Sequence, residues 1–213
     1  MKTVFVIDLD RCIGCKGCEV ACKMENDIGL GVNRNIVYQV GPVGRYPDLE
    51  MYFLPVMCQQ CENPACVSVC PTGACTKNPQ NDAIELNQEQ CISCGRCQKA
   101  CPYGAIEKNR ELRVMEKCNL CMSADEAPAC VRNCAGSALA VGDLDDPDST
   151  VCRMIEDAGP QNVHQLRDFG NHPTTRYILR SAAWQDVMPQ DCTLPGRRGR
   201  TGYFDHSQKE RTP

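Results

Sequence analysis

Four short apolar stretches recur along the chain, at residues 4–7, 52–56, 83–86 and 112–115. Their length is typical of β-strands. Each stretch precedes a loop rich in cysteine, and each loop contains an interval (EVA, VSV, QKA or VRN) compatible with one helical turn. The pattern therefore predicts a repeated unit of strand, cysteine loop, short helix and strand, and an α+β fold.

Two regions lie outside this repeat. Residues 23–57 carry glycine and proline turn signals, which predict a loop packed over the cysteine site or against a partner. Beyond residue 142, the sequence predicts an acidic turn at 143–149, a short helix at 151–158 and a strand at 176–179. The polar tail at 195–213 lacks the apolar content to fold alone, so it is either disordered or an arm lying along another subunit.

Sixteen of the nineteen cysteines form four runs with close, repeated spacing. Three thiolates within seven residues can converge on one [4Fe–4S] cubane, while a fourth, one helical turn further on, points to a neighbouring cluster. Four runs thus predict four cubanes, close enough together for electron transfer. The runs are Cys12, Cys15, Cys18, Cys22; Cys58, Cys61, Cys66, Cys70; Cys91, Cys94, Cys97, Cys101; and Cys118, Cys121, Cys130, Cys134.

Other uses of cysteine fit less well. Disulfides do not require this repeated spacing, and the N-terminus has no apolar signal-peptide segment. Zinc sites usually separate their two C-x2-C pairs by a dozen or more residues, and all three histidines follow the last run. The remaining cysteines, Cys75, Cys152 and Cys192, are interpreted as buried free thiols, with Cys75 alone near a cluster.

Composition narrows the function further. Aromatic residues make up only 5% of the 213 residues, so the clusters would replace part of the core and metal binding would be coupled to folding. The formal charge of −4 would be joined by about −8 from sixteen thiolates and four cubanes. This acidity argues against a nucleic-acid partner. No stretch is long and apolar enough to span a membrane, and no dinucleotide, P-loop or nucleophile motif indicates a catalytic centre.

The ends of the runs suggest how they pair. Runs two and three both end in C-P-x-G-A, whereas Cys22 and Cys134 are not followed by proline. The ending that runs two and three share favours one two-cluster module built from these two runs. This module would be inserted within a second module built from runs one and four. Sequential pairing of one with two and three with four is the competing topology.

The segments DLDRCIGCKGCEVACKMEN, CQQCENPACVSVCPTGA and CISCGRCQKACPYGA resemble the iron–sulfur (beta) subunits of the dimethyl sulfoxide reductase family of molybdopterin oxidoreductases. The resemblance covers roughly residues 1–180 and implies two bacterial-ferredoxin-like modules, one inserted in the other. Their bounds would be 1–50 and 111–142 for the outer module, 51–110 for the inserted one and 143–213 for a C-terminal extension that wraps a partner. Relatives that hold a three-iron cluster lack one cysteine of run three; Cys94 is present here.

The resemblance also implies the ligand sets. One cluster would bind Cys12, Cys15, Cys18 and Cys134, and a second would bind Cys22, Cys118, Cys121 and Cys130. A third would bind Cys58, Cys61, Cys66 and Cys101, and a fourth would bind Cys70, Cys91, Cys94 and Cys97.

The resemblance further implies a non-catalytic subunit that relays electrons between a large molybdopterin (Mo or W) catalytic subunit and a second redox partner. That partner would be a quinone-linked membrane subunit, a cytochrome or a soluble carrier. This chain would be located in the cytoplasm or, by co-export with a twin-arginine partner, on the outer face of the cytoplasmic membrane. A stand-alone polyferredoxin or hydrogenase-associated carrier is the competing class. The substrate and the direction of electron flow are not encoded in this chain.

Overall fold

The computed structural model describes residues 2–121 and 126–180, and within them ten strands and five α-helices. The helices are α1 (Gly17–Glu25), α2 (Ala65–Ser68), α3 (Arg96–Ala100), α4 (Ala129–Arg132) and α5 (Thr150–Ala158). The strands are β1 (Thr3–Asp8), β2 (Ile36–Arg45), β3 (Asp48–Val56), β4 (Cys75–Lys77), β5 (Ile84–Leu86), β6 (Ile106–Asn109), β7 (Val114–Lys117), β8 (Leu139–Asp143), β9 (Val163–His164) and β10 (Arg176–Ile178).

A four-stranded sheet in the order β8-β1-β10-β9 lies at the centre of the fold. Strand β1 pairs antiparallel with β8 and parallel with β10. Its continuous apolar sequence is buried on both faces, because Val4 and Val6 pack toward α5 while Phe5 and Ile7 face the cysteine-rich core. The sheet therefore separates a small conventional core from the cysteine site.

Residues 143–180 supply two strands of this central sheet, β9 and β10, and the helix α5 that packs on β8 and β1. Ser149 caps α5 by accepting a hydrogen bond from the Cys152 amide at 3.3 Å, and Gly159 ends the helix at a φ of 78°. Strand β10 lies between β1 and β9, so the segment completes the sheet. The amide of Thr174 also donates to the Gln59 carbonyl at 2.9 Å, which ties this segment to the loop of run two.

Three antiparallel hairpins surround the cysteine site: β2–β3, β4–β5 and β6–β7. The hairpin β4–β5 connects run two to run three, and β6–β7 connects run three to run four. The short helices also meet in two pairs, α1 with α4 and α2 with α3. Runs one and four are thus adjacent, and so are runs two and three.

The predicted strands and helical turns are present, with two corrections. The stretch predicted at 112–115 forms a strand only from Val114 to Lys117, because the Asn109 side chain accepts hydrogen bonds from the amides of Glu111 and Leu112 and holds a turn there. The prediction of a loop for residues 23–57 is wrong from residue 36 onward, where β2 and β3 form a hairpin; the strand predicted at 52–56 is the second half of β3. The glycines and prolines there mark a register shift between Val40 and Val43 and the tip of hairpin β2–β3.

The predicted tail at 195–213 and Cys192 lie outside the described residues. Within the described ranges, no helix combines the length and apolar character needed to cross a membrane.

Candidate iron–sulfur site

The central sheet brings runs one and four together. Run one follows β1 and run four precedes β8, and these two strands pair from Thr3–Asp143 to Ile7–Leu139. Beyond that ladder the Asp8 amide donates to the Ala138 carbonyl at 2.8 Å. A Cβ on Gly136 would lie 2.3 Å from the Arg11 carbonyl oxygen, so glycine permits this close approach.

The pairing of β1 with β8 brings together two groups of thiols. The first group is Cys12, Cys15, Cys18 and Cys134, whose members influence one another electrostatically. The second group is Cys22, Cys118, Cys121 and Cys130, which are coupled in the same way. Each group contains thiols from both run one and run four.

Runs two and three supply two further groups. The third group comprises Cys58, Cys61, Cys66 and Cys101. The fourth comprises Cys70, Cys91 and Cys97, with the exposed Cys94 between the last two in the chain. Again one cysteine of each group comes from the partner run.

Close thiols also connect the groups in a row. Thiols of the first group interact electrostatically with thiols of the second, thiols of the second with those of the third, and thiols of the third with those of the fourth. The thiols concerned are Cys18 with Cys22 and Cys130, Cys118 with Cys58, and Cys66 with Cys97. The four groups therefore follow one another in the order first, second, third and fourth.

Burial holds most of these thiols in the protonated form when no metal is bound. Burial, with a smaller contribution from neighbouring thiols, raises the pKa of Cys18 and Cys118 to about 12 and that of Cys22, Cys97 and Cys101 to about 11. A bound cationic iron centre supplies the positive charge that stabilises buried thiolates, so metal binding at these groups would release protons.

Backbone amides donate to several of the sulfurs. The Ala138 amide donates to Cys134 Sγ at 3.2 Å, and the Met115 amide on β7 donates to Cys91 Sγ at 3.4 Å. The Leu120 amide donates to Cys118 Sγ at 3.5 Å. N–H donors aimed at sulfur stabilise the charged form and are one of the means by which proteins set cluster potentials.

Cys70 differs from the other thiols. Its modest burial opposes ionisation, but hydrogen bonds from the Cys75 amide and from Thr72 outweigh this effect and lower its pKa. Cys75 itself is 1% exposed and interacts with the Cys66 thiol, so the prediction that Cys75 is buried is confirmed. The prediction of burial is wrong for Cys152, which is only partly buried and lies apart on α5, where its thiol faces the Leu144 carbonyl at 3.5 Å.

A buried ion pair beside the second group could not be read from the sequence. Arg34 donates to one carboxylate oxygen of Glu116 from Nε at 2.9 Å and from Nη2 at 2.7 Å. It also donates to Asn26 Oδ1 at 2.8 Å, and the Asn26 amide group faces Cys22 Sγ and Cys121 Sγ at 3.8 and 3.9 Å. The network therefore links a buried charge pair to two thiols.

Lys117 is a second feature of the site that was not predicted from the sequence. Its side chain is almost fully buried and donates to the carbonyls of Ile84 and Cys118. Burial lowers its pKa, but the negative charge that Cys58 and Cys118 carry when they are ionised more than reverses this effect, so the pKa is raised. A lysine in an apolar strand directly before a cysteine run was the available signal.

The two ends of the row reach the surface. Cys15 in the first group and Cys94 in the fourth are exposed. Ile13 beside Cys15 and Ile92 beside Cys94 are 62% and 63% exposed. A surface concavity next to Ile92 is also lined by Lys108, Arg110 and Arg113, so the fourth-group end has a basic rim.

These residues fit iron–sulfur clusters. All sixteen cysteines of the four runs are free thiols. In the described part of the chain, no three His, Cys, Asp or Glu side chains converge as they would around one metal ion. The four thiolates of a cubane each bind a different iron and need not meet at one point. Soft thiolate donors and amide N–H groups directed at sulfur are the environment that such clusters require.

Two family models match the chain. Residues 49–144 match the 4Fe-4S dicluster domain, and residues 9–25 match the 4Fe-4S binding domain. Together the two matches cover all four cysteine runs.

Curated relatives match over most of their length. The chain is 34% identical to the B subunit of sulfite dehydrogenase from Allochromatium vinosum, covering 90% of this chain and 89% of the relative. It is 39% identical to a putative iron-sulfur subunit of dimethyl sulfoxide reductase from Halobacterium salinarum, over 81% and 77%. It is 30% identical to the arsenate respiratory reductase iron-sulfur subunit of a Shewanella species, over 84% and 96%.

Proposed function

This chain belongs to the iron–sulfur subunits of the molybdopterin oxidoreductases, and we propose that it carries electrons through four [4Fe–4S] clusters held by its four cysteine groups. Members of the family are electron-transfer subunits of multi-subunit reductases, and this chain is likewise an electron-transfer rather than a catalytic subunit. The observation that carries the proposal is the row of thiol groups, each of which combines cysteines from two runs.

The proposed ligand sets are the four groups as defined above, one cubane to each. Support comes from the electrostatic coupling of thiols within each group, from the antiparallel pairing of β1 with β8, and from the contacts of α1 with α4 and α2 with α3. The same contacts support the proposal that a module of runs two and three is inserted in a module of runs one and four. Sequential pairing would instead require α1 to contact α2.

Each bound cluster would accept and release one electron at a time. The residues of the chain determine how readily that happens. Burial of the thiols excludes water, amides such as those of Ala138 and Met115 stabilise negative charge on sulfur, and the Arg34–Glu116 pair orders the surroundings of the second group. Cross-group neighbours such as Cys118 and Cys58 show that adjacent sites lie close together.

The two exposed ends of the row would serve two partners. At the first-group end, Cys15 lies beside the exposed apolar side chain of Ile13, a surface suited to a large catalytic subunit that binds molybdopterin. At the fourth-group end, Cys94 lies beside the basic rim, which suits a second redox carrier such as a quinone-linked subunit or a cytochrome. The substrate named for a relative, such as sulfite, does not identify the substrate here.

Anaerobic purification with iron, sulfide and EPR analysis tests this proposal. The wild-type chain should contain about sixteen irons and be EPR-active after dithionite reduction. Cys91→Ser should damage a cluster, whereas Cys152→Ser should leave the iron content unchanged because Cys152 lies apart from the four groups. Equal impairment by both changes would contradict the ligand assignment.

Size-exclusion chromatography of the native complex addresses the partner. Stable one-to-one association with a large molybdopterin subunit is expected. A fully loaded monomer that never forms this complex would instead favour a stand-alone polyferredoxin.

A further inference from the structure

One buried positive charge lies where the second and third thiol groups meet. Lys117 is 2% exposed at the end of β7, directly before Cys118 of the second group. Its strongest electrostatic neighbours are thiols of both groups and one further thiol, that of Cys75; the group thiols are Cys58 and Cys66 of the third group and Cys118 of the second. The ammonium therefore lies between two proposed cluster sites rather than beside one.

No carboxylate of the described residues neutralises this charge. Among the residues that the structure describes, Lys117 forms no ion pair, and the buried carboxylate next to it in sequence, Glu116, binds Arg34 instead. Its hydrogen-bond acceptors are two neutral carbonyls, those of Ile84 and Cys118. Burial of an ammonium without a compensating anion is costly, so the negative charge has to come from the sulfur ligands.

We propose that Lys117 is a positioning residue that acts as a fixed positive charge between the second and third clusters and raises the reduction potential of both. This inference rests on the four ligand sets proposed above. A cubane with four thiolates carries a charge of about −2 when oxidised and about −3 when reduced. Each reduction adds one electron and no proton, so a fixed cation stabilises the reduced form more than the oxidised form.

The location has a consequence for electron flow. The second and third clusters would be the interior steps of the row, since only the first and fourth groups contain exposed cysteines, Cys15 and Cys94. A charge shared by the two interior sites lowers the cost of placing an electron on either of them. Lys117 would thereby prevent the interior sites from becoming a barrier between the ends.

A purely structural role predicts something different. Lys117 connects β7 to the Ile84 carbonyl of β5 across 33 residues of chain, and that contact alone would affect stability and iron content. It would not move the potentials of loaded clusters. Reduction potential is therefore the measurement that separates the two roles.

The test is an EPR-monitored redox titration of the anaerobically purified protein with its native partner subunits. Lys117→Met removes the charge at similar volume, and Lys117→Gln removes it while keeping a hydrogen-bond donor. In either variant, two of the four reduction waves should shift so that their equilibrium constants for reduction fall at least tenfold, which is about 59 mV for one electron. The potentials of the other two waves should not change, and in Lys117→Arg all four waves should have their wild-type potentials.

Lys99→Met is the matched control. Lys99 lies on α3 between Cys97 and Cys101 but is exposed, so water screens its charge and no wave should move. Unshifted potentials in fully loaded Lys117→Met or Lys117→Gln would overturn the inference, as would equal shifts of all four waves. Loss of iron in both neutral variants would also overturn it, since Lys117 would then be needed for assembly. A wild-type protein without four waves would refute the proposed function instead.

Discussion

Removal of the charge on Glu116 should sharply destabilise the surroundings of the second cysteine group. Glu116 is 2% exposed and accepts two hydrogen bonds from the Arg34 guanidinium. The substitution Glu116→Gln keeps the volume of the side chain but leaves the cation of Arg34 buried without its anion. The Asn26 side chain, which Arg34 positions near Cys22 Sγ, would lose its anchor as well.

The size of the effect follows from the geometry. At the shorter contact of 2.7 Å, an effective dielectric constant of about 20 gives a gross attraction of roughly 6 kcal/mol. Part of that is offset by relaxation and water entry, and breaking a buried pair on one side typically costs about 3–5 kcal/mol. If the ion pair is intact in the loaded protein and broken in the transition state for cluster loss, Glu116→Gln destabilises only the loaded protein. The rate of cluster loss should then rise by roughly a hundredfold to several thousandfold, at about 1.4 kcal/mol for each tenfold change.

The assay is the anaerobic decay of visible cluster absorbance in the presence of an iron chelator. The matched control is Asp82→Asn, which breaks the more exposed ion pair with Lys77 at 3.5 Å. That pair should contribute less than about 1 kcal/mol, so its loss should accelerate decay less than about fivefold. Equal decay rates for Glu116→Gln and Asp82→Asn would refute the reasoning.

Two other perturbations follow from the structure. Gly14→Ala should accelerate cluster loss more than Gly95→Ala. Both positions have a positive φ, which costs about 1–2 kcal/mol for alanine. Only at Gly14 would the new Cβ also lie 2.5 Å from the Phe53 ring. Equal effects of the two substitutions would contradict a role for the Phe53 contact. Iron retention at a fixed chelator concentration should fall as the pH is lowered from about 9 to about 6. The reason is that the thiols take up protons when iron leaves, since the pKa values of Cys18 and Cys101 are raised to about 12 and about 11. Retention that is constant or improves on acidification would count against thiolate ligation.

The local parts of the fold were predictable from the sequence because their causes are local. The apolar run of β1, the helical turns within the cysteine runs and the helix α5 each depend on residues within a few positions of one another. The hairpin β2–β3 was missed because its glycines and prolines, read alone, indicate turns. Only the pairing with the opposite strand reveals that they form a bulge and a hairpin tip.

The groups that tune the site were not predictable, because their roles depend on distant partners. Arg34 and Glu116 are separated by 82 residues in the chain, and Lys117 meets Ile84 from 33 residues away. Spacing identifies the four cysteine runs, since that is a local property, but it leaves open which runs share a cluster. It does not reveal which charges the fold places among the thiols.

The arrangement of the clusters is tested most directly by crystals of the anaerobically prepared holoprotein, with an anomalous-diffraction map collected at the iron edge. Four separate cubane peaks in a row are expected, each bound by three cysteines of one run and one cysteine of its partner run. The first should join Cys134 to run one, and the third should join Cys101 to run two. A cubane bound by four cysteines of a single run, or by runs one and two together, would contradict the proposed arrangement.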